Sequence, residues 1–141
     1  MRHVVLVGAL VAGIGAALRT SAQTPAPATP PLVVRSIAGQ DLFAFYCATC
    51  HGRDARGNGP VAAVLKIPPP DLTTLARRRD GTFPRQQVEM FVTSGGPALP
   101  AHGSSDMPVW GPVFRGLDSS DTLATVRIAN IVDYLSSIQA K

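Results

Sequence analysis

Cys47-Ala48-Thr49-Cys50-His51 constrains this chain more than any other stretch, because it holds the only two cysteines of 141 residues and sets a histidine directly behind the second. A disulfide across so short a loop removes little entropy from the unfolded chain, so stapling the fold is a poor explanation for the pair. A thioredoxin-like redox pair belongs in a βαβ setting, whereas this motif is flanked by a helical pattern and by loops rich in glycine and proline. Zinc would have to recruit Cys47, Cys50, His51 and His102, and the adjacent Cys50 and His51 reach one tetrahedral ion poorly. The pattern best suits covalent attachment of one haem. Two thiols at this spacing reach two vinyl groups, and the following imidazole binds the iron from the same side.

The N-terminal segment supplies a compartment for that chemistry. Arg2 and His3 precede an apolar run from Val4 to Leu18, and Thr20, Ser21 and Ala22 follow it, the layout of a secretory signal over residues 1–22. The run is shorter than the roughly 18 to 20 apolar residues that cross a bilayer, so cleavage is expected, with a retained membrane tether as the alternative. Residues 23–34, including Thr24-Pro25-Ala26-Pro27-Ala28-Thr29-Pro30-Pro31, read as a proline-rich spacer, and residues 35–141 as one domain. The formal net charge of the full chain is +4. Removing Arg2 and Arg19 leaves 11 basic against 9 acidic residues, and two haem propionates would bring the product close to neutrality. A nucleic-acid partner is therefore not expected.

The domain reads as all-α. Ile37 to Cys47 has Leu42, Phe43 and Tyr46 spaced as one apolar helix face, delivering the motif at its end. Three glycines, Asn58 and Pro60 make residues 52–60 a loop, and a short helical run from Val61 to Leu65 stops at Pro68-Pro69-Pro70. Asp71 is placed to cap a helix from Leu72 to Arg79, with Gly81 as terminator. Another helix is expected from Pro84, burying Val88, Phe91 and Val92 before Gly95-Gly96. Residues 95–116 show no convincing period, and a long structureless stretch in a small domain tends to be functional. The last helix, Ser120 to Ile138, sets Leu123, Ile131, Tyr134, Leu135 and Ile138 on one face.

With these features together, residues 37–139 resemble a class I monohaem cytochrome c of the bacterial, periplasmic kind. Gly39 and Phe43 resemble the small and aromatic pair of that family's first helix, and Ile131 and Tyr134 the residues of the last helix that cross it. Pro69-Pro70-Asp71-Leu72-Thr73 and Met107-Pro108-Val109-Trp110-Gly111 also look like bacterial members. The resemblance implies the cytochrome c fold, its terminal helices crossing beside one haem c bound through Cys47 and Cys50. It further implies that His51 is the proximal iron ligand, that a carbonyl within Ile67 to Pro70 accepts its ring N–H, and that Arg78 is a propionate partner. Arg77 and Arg79 are the neighbouring candidates.

The other iron face has three candidates, Met90, His102 and Met107. Met90 sits in a predicted helix, where a thioether is usually packing. His102 and Met107 share the irregular loop, and Pro108 stiffens the chain beside Met107; the family resemblance also points to Met107. A thioether ligand raises the reduction potential relative to a second imidazole, and a filled sixth position keeps O₂ and peroxide from the iron. Trp110 is a candidate for packing on the haem edge. These features lead to the expectation of a periplasmic one-electron carrier, or a cytochrome subunit of a respiratory or dehydrogenase chain, docking on redox protein partners. A haem peroxidase or gas-sensing domain with an exchangeable sixth ligand is the enzyme-class alternative, and a haem-free exported binding module a third.

Overall fold

The computed structural model describes residues 34–95, 107–118 and 120–141. The signal segment, most of the spacer and His102 lie outside the described residues. Those described are helical or irregular, with no strand among them, so the domain is all-α in the manner of cytochrome c.

Helix α1, Gly39–Leu42, runs into a π-helical turn, Phe43–Cys47, and on into α2, Ala48–His51. The wider turn falls on the residues that lead into the motif, as π-helical insertions often do at functional positions. Leu42 and Phe43 are almost fully enclosed. Gly52, with φ 77°, ends α2 as its amide bonds the Ala48 carbonyl at 2.9 Å.

Three short 3₁₀ turns follow: Ala62–Val64, Leu72–Thr74 and Arg77–Arg79. The expected continuous helix from Leu72 to Arg79 is therefore divided, and the reason is a single side chain. The Ala76 amide donates to Gln139 Oε1 at 2.8 Å, while Gln139 Nε2 donates to the Leu72 carbonyl at 2.9 Å. Ala76 and Leu72 are the donor and acceptor that an α-helix would join directly. The Gln139 amide stands between them and ties this segment to the C-terminus, where the Ala140 amide also reaches the Thr73 carbonyl at 2.7 Å. Asp71 caps the Leu72–Thr74 turn as expected, accepting from the Thr73 amide at 2.8 Å.

Helix α3, Arg85–Ser94, starts after Pro84 and ends at Gly95, whose φ of 80° is the left-handed cap that glycine supplies most readily. Val92 is buried, whereas Phe91 and Met90 are exposed, so the sequence assignment of Phe91 to the core fails. Helix α4, Trp110–Asp118, corrects the expectation that residues 95–116 lack regular structure throughout. Helix α5, Asp121–Ser137, is capped by Ser120, whose side chain accepts from the Leu123 amide at 3.2 Å. Its buried residues are Ala124, Arg127, Ile128, Ile131, Val132 and Leu135, while Leu123 faces solvent.

The crossing of α1 and α5 closes the domain. A Cβ on Gly39 would lie 2.0 Å from the Asn130 carbonyl oxygen, so only glycine permits this approach. Asn130 Nδ2 donates to the Ile37 carbonyl at 2.7 Å, and the Phe43 and Tyr134 rings meet with centroids 5.4 Å apart.

Candidate haem site

The loop after the motif folds back on the motif's own backbone. Gly57, Gly59 and Val61 donate their amides to the carbonyls of His51, Cys50 and Thr49 at 2.8, 3.1 and 3.2 Å. The Leu72 amide then bonds the Ala55 carbonyl at 2.8 Å, which brings the proline-rich segment against this loop. Gly57 marks the contact: a Cβ there would stand 2.1 Å from the Pro69 carbonyl oxygen. In this way His51 meets Pro70 across a loop whose only regular element is the Ala62–Val64 turn.

Cys47 and Cys50 form no disulfide, and both are partly buried. Burial, and secondly the neighbouring Cys50, push the Cys47 thiol up to about 12, so it is held protonated at neutral pH. Burial likewise lowers the His51 pKa, opposed by its interaction with the Pro70 carbonyl. His51 Nδ1 is nevertheless buried with no hydrogen bond of full geometry. The Pro70 carbonyl is the group that faces this nitrogen. A neutral imidazole whose second nitrogen is oriented by a carbonyl is the usual state of a histidine that binds a metal.

Tyr46, directly before Cys47, joins the motif to α4. Its ring lies 5.5 Å from that of Trp110 and 5.1 Å from that of Phe114, both edge-on, and Trp110 and Phe114 stack at 5.6 Å. Because Trp110 follows Met107 by three residues, these contacts hold the Met107 segment beside the motif helix. Met107 is itself half-buried and packs on the same core. Of the sequence candidates, Met90 is exposed on α3. Arg78 lies at the surface with its guanidinium turned to the Asp71 carbonyl at 2.5 Å and the Thr74 carbonyl at 3.4 Å. Tyr46 was not singled out as a site residue in the sequence, although an aromatic residue directly before the first cysteine was the available signal.

The residues present suit a haem. Two cysteines and an imidazole stand close together along one short helical stretch, and the buried Tyr46 hydroxyl beside them has no hydrogen-bond partner among the described residues. Val64 and Ile67, on the segment leading to Pro70, are 82% and 65% exposed, apolar surface that a large apolar group can cover.

Fold and site together define a monohaem c-type cytochrome, a class that carries haem c covalently and transfers electrons. More narrowly, residues 36–113 match the family model of cytochrome c oxidase, cbb3-type, subunit III, and the chain belongs to that family. Comparison with curated proteins and with solved structures returned no match.

Proposed function

We propose that the protein is a periplasmic one-electron carrier whose haem c is bound through Cys47 and Cys50 and ligated by His51 and Met107. When bound, the haem supplies the Fe(III)/Fe(II) couple. The polypeptide has the remaining tasks. Cys47 and Cys50 fix the group to α2, His51 offers a neutral imidazole steered by the Pro70 carbonyl, and Met107 offers a thioether. Pro108 and the Tyr46–Trp110 contact restrain the thioether's segment. Trp110 and Phe114 exclude water from that side, and Arg78 is positioned on the surface turn that would meet a propionate. The match to a cbb3-type oxidase subunit family suggests partners within a respiratory chain.

The contact of Tyr46 with Trp110, at 5.5 Å between ring centroids, carries this reading, since it links the residue before Cys47 to the helix that follows Met107. Met107→Ala tests it. The native ferric protein should show the weak red charge-transfer band of a sulfur–iron bond, and the variant should lose it and bind carbon monoxide promptly when reduced. An unchanged band would reject Met107, and prompt carbon monoxide binding by the native protein would favour an exchangeable sixth ligand. Mass spectrometry of the mature protein tests export, through loss of residues 1–22 and addition of one haem.

A further inference from the structure

We infer that Arg127 is a positioning residue for Met107, acting through α4; this rests on the reading of Met107 as an iron ligand. Arg127 is the buried charged residue among those described, 4% exposed in the middle of an otherwise apolar α5 face. A guanidinium cannot lose its proton in a protein, so its burial requires a counter-charge. Asp118, the last residue of α4, supplies it by direct ion-pair contact through Arg127 Nη1. Nε and Nη1 make no hydrogen bond of full geometry, which leaves the Asp118 carboxylate as the compensating group the structure provides.

The consequence follows from where α4 begins. It starts at Trp110, three residues after Met107, and spans only nine residues, so the position of one end determines the other. Its first turn is already in close contact: a Cβ on Gly111 would lie 2.4 Å from the Thr93 carbonyl oxygen, and Trp110 and Phe114 pack on Tyr46. Those contacts hold the first turn of α4, whereas the Arg127–Asp118 contact acts at its other end. The Arg127 guanidinium is buried while Asp118 is partly exposed, and displacing Asp118 would leave that guanidinium uncompensated. It therefore fixes the axial register of α4 and, through it, the approach of the Met107 sulfur. The exposed Arg115–Asp121 pair, at 3.9 Å, spans the same junction but cannot substitute, since solvent screens it.

The test uses the full-length, haem-loaded protein and measures how fast imidazole replaces the sixth ligand of the ferric form, alongside the red band and the helical circular dichroism. Arg127→Met and Asp118→Asn should each accelerate imidazole association by about tenfold or more while retaining the helical signal, because ligand replacement is limited by release of the Met107 segment. Arg127→Lys, which keeps the charge, should restore most of the native rate. Asp118 is part-exposed, so its variant carries the test should Arg127→Met not fold. Rates within about twofold of native in a folded, less thermostable Asp118→Asn protein would overturn the inference and reduce the pair to a general stabiliser. Absence of the red band from the native protein would overturn it by a different route, by removing Met107 as ligand.

Discussion

Asp71 joins chemistry at three points within a few residues. Its carboxylate accepts from the Thr73 hydroxyl at 2.6 Å and the Thr73 amide at 2.8 Å, and its own carbonyl receives Arg78. The hydroxyl bond holds the Asp71 carboxyl below the usual carboxylate value, with burial opposing and the Thr73 amide, Arg56 and Arg78 assisting. Because the folded pKa is the lower one, the ionised carboxylate stabilises the fold above the unfolded value near about 4, and this contribution is lost as pH falls through the folded value. Asp71→Asn should therefore flatten the acid limb of a stability-versus-pH curve below about pH 4, with its loss relative to the native protein largest at neutral pH and vanishing at low pH, as followed by denaturant midpoints. A native protein whose stability is flat across that range would exclude this role. The residues that act through local chemistry were legible from sequence. The spacing of Cys47 and Cys50 reads as a haem-attachment signal, in keeping with the family match, and Asp71 needed only its position before a turn to be recognised as a cap.

At the level of elements the sequence was less transparent, for identifiable reasons. Helix α4 was hidden by Gly111, Pro112 and Gly116, yet Pro112 sits in the first turn, where the amide it lacks has no intrahelical acceptor to lose. Trp110, Phe114 and Leu117 do recur at helical spacing, and that was the signal overridden by composition. The segment 72–79 failed in the opposite direction. Its local sequence permits a helix, and the interruption comes from Gln139, more than sixty residues away, whose insertion no window of sequence could show. Arg127 posed a related problem, since an arginine on an apolar face is buried only when a distant acid is known to meet it. Gln139→Ala removes bonds to Ala76, Leu72 and Leu135, and leaving a buried amide and carbonyls unpaired should cost about 1–3 kcal/mol. Chemical denaturation would show this as a lowered midpoint at unchanged slope, and hydrogen exchange should quicken at Ala76. A midpoint equal to the native one would mean that Leu72 and Ala76 rejoin as an ordinary helical turn.

For the molecule as a whole, the enclosed core is small. Leu42, Phe43, Phe114, Ile131 and Val132 are its largest fully buried side chains, while Val64 and Ile67 remain largely uncovered by protein. A domain of this size buries a modest share of its surface, and a group that binds only the folded chain adds its binding free energy to stability. Cys47→Ser/Cys50→Ser, which cannot form thioethers, should retain some helical dichroism but melt without a cooperative transition and bind a hydrophobic dye. A sharp transition at the native temperature would show instead that the polypeptide core is sufficient.

The crossing of α1 and α5 has one more effect, on timing. Asn130 bonds Ile37 across 93 positions of sequence, so the first helix has no docking partner until nearly the whole domain has been synthesised. Throughout that interval Cys47 and Cys50 are carried on a chain whose first helix lacks its α5 contact, whereas after closure Cys47 is partly buried and its thiol is pushed up to about 12, a poor nucleophile at neutral pH. Placing α5 so far after the motif thus opens a period during synthesis when the thiols are reactive, and ends it when the two helices cross.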